Sequence, residues 1–248
     1  MGLIKNFPHD GIVTINRVIL KEGHTLDELQ ERVALMCENV KTYHSETGFI
    51  GGMVVLNSGQ ISNEGSNVGK ALESSLKDRE ALIITYWKSY DDHENSHKSD
   101  SFQPLFQKVI DLCENGNEEI VYDMLDELQE RVALMCENVK TYHSETGFIG
   151  GMVVLNSGQI SNEGSNVGKA LESSLKDREA LIITYWKSYD DHENSHKSDS
   201  FQPLFQKVID LCENGNEEIV YDMLWQGEAY TPEMAKMAQT AKEKNTKQ

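Results

Sequence analysis

Apolar and polar positions alternate near the start of the chain and then change to a helical spacing. Over Gly11–Lys21 the alternation of β-branched and polar residues predicts a strand with one buried face. Thr25 and Glu28 have the spacing of a capping box, in which each side chain bonds the other residue's backbone N–H. Apolar residues then recur every three or four positions, which predicts an amphipathic helix that ends near His44.

Two more strands, a second helix and a last strand are predicted further along. Residues 48–56 and 81–89 are rich in β-branched and aromatic side chains, and Gly51-Gly52 indicates a bulge in the earlier strand. A helix is expected over 99–113, and a strand follows it. The order βαββαβ is typical of a ferredoxin-like unit, so the predicted fold class is α+β.

A repeat without a single substitution occupies most of the chain. Residues 26–125 recur at 125–224, an offset of 99 with Leu125 shared. Natural repeats diverge at exposed positions, where most substitutions change stability by no more than about 0.5 kcal/mol. Identity at every position therefore predicts a recent duplication, and we favour an engineered tandem.

The repeat divides the chain into three regions. Residues 1–124 are expected to form a first ferredoxin-like lobe, and 125–230 a second, duplicated lobe that lacks its own first strand. The tail, 231–248, is expected to be flexible or helical.

The junction between the copies allows two interpretations. Residues 119–125 can form a strand that stands in for the missing first strand of the second lobe. Alternatively, apolar residues that step by four and three predict one fused helix from Val121 to Met135. The strand is favoured, because each backbone hydrogen bond of a sheet contributes about 1 kcal/mol and helix propensities differ by only a few tenths.

Charge and hydropathy exclude two classes of partner. The chain has 41 acidic against 23 basic residues, a net charge of -18, which repels nucleic-acid phosphates and anionic lipid. No apolar run is long enough to cross a membrane, and the N-terminus does not resemble an export signal. We therefore expect a cytoplasmic protein with no nucleic-acid or membrane partner. The cysteines lack metal-site spacing and are expected to be reduced, buried helix residues: Cys37, Cys113, Cys136 and Cys212.

Short motifs in the predicted elements carry a family resemblance. They are Ile15–Leu20 in the first strand, Glu46–Phe49 before the second, Thr85–Ser89 in the third, and Ser99–Phe102 at the second helix. In this order and spacing they resemble the antibiotic biosynthesis monooxygenase family over nearly the whole of each unit. The resemblance implies ferredoxin-like protomers that pair sheet to sheet into a dimeric α/β barrel, with a pocket between each sheet and its helices.

Applied to a tandem chain, the resemblance predicts a pseudo-dimeric α/β barrel within one molecule. A covalent link raises the effective concentration of one lobe around the other, so the pairing should be intramolecular. A parent with one copy would then be a homodimer.

The resemblance is closest in wording to the haem-degrading branch of that family. Asn16 matches an Asn that lies over the haem in that branch. Ser96 and Phe106 stand where the branch has a Trp and the iron-binding His, and Phe cannot ligate iron. No cofactor is therefore expected, and haem remains an alternative in which His93 or His97 would substitute for the missing ligand.

The candidate site residues are polar and aromatic groups near the expected pocket. Asn16, His97 and His196 are the predicted catalytic or orienting groups, and Trp87 and Trp186 the predicted substrate pocket. Other interpretations stay open: the histidines as exposed residues of a first helical turn, and the tryptophans as core or interface. Asn16 lies outside the repeat, so at most one of the two sites can be complete.

The segment 91–97, repeated at 190–196, contains the string H-E-x-x-H. On a helix this spacing places two imidazoles on one face as metal ligands, with the Glu as general base. The segment is so polar that it predicts a solvated turn, and no third ligand follows at a characteristic distance. No metal is therefore expected.

Three hypotheses for function follow from these patterns. The first is a monooxygenase-like domain, cofactor-independent, that binds a small aromatic or hydrophobic molecule. The second is a haem-binding or haem-degrading protein. The third is a non-catalytic tandem chain made for the study of folding or pseudo-dimerisation, so whether the protein is an enzyme stays open.

Overall fold

The computed structural model describes residues 11–44, 48–62, 79–114, 118–124, 147–157, 179–197, 199, 202–210 and 218–245. Within these residues the first copy forms the predicted strands and helices in order, with one further short helix after its third strand. In chain order they are β1 (Ile12–Ile19), α1 (Leu26–Tyr43), β2 (Phe49–Ser62), β3 (Glu80–Trp87), α2 (Tyr90–His97), α3 (Gln103–Ile110), β4 (Glu118–Met124), β5 (Phe148–Asn156), β6 (Ala180–Trp186), α4 (Tyr189–His196), α5 (Gln202–Ile209), β7 (Glu218–Glu228) and α6 (Pro232–Asn245).

The described strands form one curled antiparallel sheet, a half-barrel of seven strands. Their order across the sheet is β6-β5-β4-β1-β3-β2-β7. The four strands of the first copy lie in the ferredoxin-like order β4-β1-β3-β2, which confirms the α+β prediction. The register shift between Phe49 and Gly51 confirms the predicted bulge in β2.

The two faces of the sheet have separate cores, because successive side chains of a strand point to opposite faces. Val13 and Ile15 of β1 belong to a cluster on the inner, concave face, to which all seven strands contribute. Ile12 and Val18 belong to the larger cluster on the outer face, beneath α1 and α3. Asn16 lies in the same alternating row as Ile12 and Val18, so the sheet directs it toward the helices.

Equivalent residues of the two copies meet on the inner face. The hydroxyl oxygens of Tyr86 and Tyr185, which are 99 positions apart, lie 2.7 Å from each other. A second contact occurs twice, each time from a tyrosine of one copy to a glutamate of the other: Tyr122 donates to Glu179 at 3.3 Å, and Tyr221 donates to Glu80 at 3.1 Å. The curled sheet therefore brings the two copies face to face.

Residues 118–124, before the junction of the copies, form the strand β4, as favoured from the sequence. The fused-helix interpretation is therefore wrong from Val121 to Met124. The proposed role of this strand is also wrong. β4 pairs with β1 on one side and with β5 on the other, and does not take the position of a first strand in the second copy. Residue 125 and the following segment through Met135 lie outside the described residues.

The predicted helix over 99–113 is wrong in its bounds. The structure has two short helices, α2 and α3, separated by a turn, and Pro104 lies in the first turn of α3. The tail forms the helix α6, which packs against α1: Gln239 donates to the carbonyl oxygen of Thr42 at 2.9 Å. Cys37 is a buried helix residue, as predicted. Cys113 is buried but lies beyond the end of α3, where it forms an isolated bridge with Leu20, and Cys136 and Cys212 lie outside the described residues.

Candidate functional site

The polar segment 90–97 forms a helix because its first turn is capped. Ser89 has extended backbone, and its hydroxyl accepts a hydrogen bond from the backbone N–H of Asp92. The same hydroxyl donates to the Asp92 carboxylate at 2.8 Å. Acidic groups at the N-terminus of a helix stabilise it by interacting with the positive end of its dipole. The predicted solvated turn is therefore wrong. Of the two histidines on α2, His93 is 2% exposed and His97 5% exposed.

A buried chain of three polar side chains joins the sheet to α2. Asn16 on β1 lies directly opposite Glu119 on β4 in the sheet register. The Asn16 amide nitrogen donates to Glu119 Oε1 at 3.1 Å, and His93 Nε2 lies 2.9 Å from the same oxygen. Asn16 therefore faces the helices and has Glu119 as its partner, and its role as a catalytic or orienting group stays a prediction.

The His93–Glu119 pair is charged at neutral pH. Burial alone lowers the pKa of His93, but the carboxylates of Glu119 and Glu94 together outweigh it and raise that pKa to about 9. Burial alone raises the pKa of Glu119, but His93, His97 and the hydrogen bond from Asn16 lower it to about 2. The structure thus holds an imidazolium and a carboxylate against each other in the interior.

Aromatic rings surround the polar chain. The ring centroid of His97 lies 4.4 Å from that of His93, and the rings of Phe102 and Phe106 stack on His97 at 5.5 and 5.8 Å. Trp87 is 3% exposed and meets His93 edge to face at 5.4 Å. The structure therefore brings together three of the predicted residues, Asn16, His97 and Trp87. The alternative that His97 is exposed is wrong.

The H-E-x-x-H string has the geometry of a ligand cluster on a helix. One ligand atom each from His93, Glu94 and His97 lies within 4.8 Å of the other two. His93 Nδ1 lies 3.3 Å from Glu94 Oε1, while its Nε2 faces Glu119. The second copy repeats the arrangement with His192, Glu193 and His196. The expectation of no metal stays a prediction, because the position of these atoms alone does not test it.

The described residues around α2 do not fit the haem alternative. Phe106, at the position of the iron-binding His, is packed against Phe102 with ring centroids 5.6 Å apart. Ser96, at the position of the family's Trp, donates to the carbonyl oxygen of His93 at 2.7 Å and is 1% exposed. The substitute ligands are both packed in the interior: His97 is 5% exposed with its ring stacked on both phenylalanines, and His93 is 2% exposed with its Nε2 at 2.9 Å from Glu119 Oε1.

The second copy holds an incomplete version of the site. His192 Nε2 lies 2.6 Å from Glu218 Oε1, as His93 does from Glu119, but Asn16 has no counterpart outside the first copy. The side chain of Glu218 is 23% exposed, against 2% for Glu119.

The other predicted residues of the second copy keep the local geometry of the first. His196 is 4% exposed, so the alternative that it is an exposed residue is wrong as well. Trp186 contacts His192 edge to face at 5.4 Å.

Sequence reasoning missed Glu119, the residue at the centre of the chain. It lies in an acidic pair at the start of β4, where the sequence suggests a solvated strand end. Only the pairing of β1 with β4, which places residue 119 opposite residue 16, identifies its partner.

None of the described helices is long and apolar enough to span a membrane.

Comparison with known proteins gives a likeness of fold. No protein-family profile matches the sequence, and no curated protein matches it either. Among solved structures, a "putative monooxygenase" from Fusobacterium nucleatum has a TM-score of 0.51 at 11% identity, covering 88% of this chain and 94% of its own. Another, from Lactobacillus acidophilus, has a TM-score of 0.50 at 10% identity, covering 88% and 98%.

A third structure is similar to half of the chain only. The cofactor-independent oxygenase SnoaB from Streptomyces nogalater has a TM-score of 0.34 at 15% identity, covering 48% of this chain and 97% of its own. The fold of the chain is thus shared with proteins described as monooxygenases. At these identities the likeness shows the fold alone.

Proposed function

We propose that the first copy is a cofactor-independent oxygenase domain that binds a small aromatic or hydrophobic molecule between its sheet and its helices. The observation that carries the proposal is the buried chain Asn16–Glu119–His93, which is charged and lies among aromatic rings. A buried ion pair contributes little net stability compared with well-packed apolar residues, so a chemical role is a reason for its presence.

The proposed reaction needs a substrate that forms an anion and reduces oxygen itself. A methylene group between aromatic rings gives a proton to solvent water, and the resulting carbanion adds O₂ to form a peroxide anion, which takes a proton back from water. Loss of water from the peroxide leaves a carbonyl, so one oxygen atom enters the product, the other leaves as water, and the substrate supplies all four electrons. The His93 imidazolium would stabilise the substrate anion, while Asn16 and His97 orient it.

Oxidation of dithranol, a polycyclic anthrone of this type, tests the proposal. Oxygen uptake and product are measured for the wild-type chain, for Asn16→Ala and for the matched control Asn57→Ala. Both asparagines are on strands and 7% exposed, but Asn57 Oδ1 accepts from the N–H of Gly59 and does not contact the charged pair. Loss of one hydrogen bond to a charged group predicts a decrease in kcat/KM of about tenfold or more for Asn16→Ala only.

Two outcomes would contradict the proposal. Oxidation no faster than in buffer would show that the domain does not catalyse this reaction class, and equal losses in both variants would show that Asn16 acts only through stability. A hemin titration in parallel separates the alternative: a sharp stoichiometric Soret band would favour haem binding over cofactor-free chemistry.

We further propose that the chain is a linked pseudo-dimer whose single-copy parent is a homodimer. The contacts between equivalent residues, Tyr86 with Tyr185 above all, favour this arrangement. It also suits the third hypothesis, a tandem made without need of activity. Light scattering should give the 28.0 kDa mass of one chain at low micromolar concentration, and a constant dimer mass would refute the proposal.

A further inference from the structure

The two edges of the half-barrel have the same sequences as the two strands that enclose β1. β1 lies between β3 and β4, whereas β6 and β7, their counterparts in the second copy, end the sheet. Within the described part of the chain, no strand pairs with the outer edge of either. The chain therefore repeats both neighbours of β1 without repeating β1.

The outer edges are also the edges that would pair with such a strand. β4 pairs with β5 at Tyr122 and Asn156, and β7 pairs with β2 at the equivalent residues, Tyr221 and Asn57. β6 pairs with β5 as β3 pairs with β2. Each edge strand thus pairs through the same edge as its counterpart in the first copy. The edge that pairs with β1 in that counterpart faces outward. With one further strand between them the sheet would have eight strands, the number of a small closed barrel.

The register of β1 can be transferred to this gap residue by residue. In the first copy Asn16 lies opposite Ile83 and Glu119, so its equivalent would lie opposite Ile182 and Glu218. Ile182 is 36% exposed, whereas Ile83 is 4% exposed.

The gap presents the acceptors that β1 uses in the first copy. Arg17 Nη2 lies 2.6 Å from Glu80 Oε2 in the first copy. Glu179 is the counterpart of Glu80 in the second copy, but Arg17 has no counterpart there because residue 17 lies outside the repeat. Glu218, the counterpart of Glu119, contacts His192, and the second copy has no counterpart of Asn16. An incoming strand with an amide and a guanidinium at adjacent positions would complement both carboxylates.

We propose that the gap between β6 and β7 is a binding site for an extended peptide segment of the β1 type. The segment would be antiparallel to both strands, with alternating apolar residues, an Asn that reaches Glu218 and an Arg that reaches Glu179. This is β-strand addition at two edges at once, with backbone hydrogen bonds for affinity and the two polar side chains for register. The inference does not depend on the proposed oxygenase activity.

A labelled peptide of residues 11–21 tests the proposal on the full chain. Fluorescence anisotropy should show saturable binding of one peptide per chain, and amide hydrogen exchange should slow at 180–186 and 218–224. A peptide with Asn16→Ala should bind about tenfold more weakly, since it loses a hydrogen bond to a charged group. A scrambled peptide of the same composition should not bind.

Protein variants separate the site from general charge effects. Glu179→Lys places a cation opposite the peptide's arginine and should weaken binding about tenfold or more. Glu233→Lys on α6 makes the same charge change outside the gap and should alter binding less than about twofold. Equal binding of the scrambled peptide, equal effects of the two variants, or no binding at millimolar peptide would each overturn the proposal. A persistent dimer of the chain would show that a second copy covers the edges instead.

Discussion

Replacing Glu119 by Gln would remove the negative charge that holds His93 as an imidazolium in the interior. The side chain of Glu119 is 2% exposed and contacts His93 and Asn16. Removing one partner of a buried ion pair costs about 3–5 kcal/mol, because the other charge is left without compensation. Gln keeps an acceptor oxygen for both neighbours, so we expect the lower end, about 3 kcal/mol.

The second copy offers a matched control for this substitution. Glu218 makes the same contact with His192, but its side chain is 23% exposed, and the second copy has no counterpart of Asn16 because residue 16 lies outside the repeat. Partial screening by water lowers the expected cost of Glu218→Gln to about 1 kcal/mol. In thermal unfolding, about 2–4 °C per kcal/mol predicts a Tm lower by about 6–12 °C for Glu119→Gln and by no more than about 4 °C for Glu218→Gln.

The pH dependence of the difference tests the electrostatic cause. Glu119 has its pKa lowered from 4.5 to about 2, so its contribution is present above pH 4.5 and is lost as the pH falls toward 2. His93 has its pKa raised from 6.5 to about 9, so its contribution is present below pH 6.5 and is lost as the pH rises through 9. The stability difference between wild type and Glu119→Gln should therefore be largest between about pH 4.5 and 6.5.

Urea unfolding followed by tryptophan fluorescence suits the measurement, because Trp87 contacts His93 directly. Unchanged m-values are required before free energies are compared. Equal destabilisation by the two glutamate variants would refute the argument, since burial would then have no effect on the cost. A difference that stays constant from pH 4.5 to 9 would refute the charged state of the pair.

Two further pairs of substitutions test the packing of the copies and a turn. Tyr86→Phe should lower the free energy of unfolding in urea by about 1 kcal/mol, and adding Tyr185→Phe should lower it little further, because both substitutions remove the same hydrogen bond. Fully additive losses would contradict this coupling. In the same urea assay, Gly48→Ala should destabilise the protein more than Gly59→Ala. Both positions have positive φ, which costs an alanine about 1–2 kcal/mol, but only at Gly48 would the new methyl group collide with Asp92. Equal losses of stability in the two variants would contradict this contact.

Much of the local structure was predictable from sequence because the relevant signals are local. The capping box of Thr25 and Glu28 is present, with hydrogen bonds of 3.0 and 3.2 Å, and the helix it begins ends at Tyr43, next to the predicted His44. Alternation of apolar residues located β1 within two residues at each end. These features depend on residues within a few positions of one another, so the pattern along the chain is sufficient.

The segment 91–97 shows where local reasoning failed. Its polarity predicts exposure, and a hydrophobic pattern cannot indicate that a polar helix will be buried. The carboxylate of Glu119, 26 positions after His93 in the chain, compensates the burial of His93. Tertiary structure alone brings the two together, because a buried charge is tolerated only where a partner has already been placed.

The sequence by itself determined the order of the strands, the capped first helix, the exact repeat and the absence of a second Asn16. The tertiary structure alone decided that Asn16 meets Glu119 and that β4 joins the copies through β5. Strand neighbours and register depend on pairing between residues far apart in the chain, and identical sequences acquire different neighbours when one copy lacks a strand. For that physical reason the two copies, equal in sequence, hold one complete site and one incomplete site.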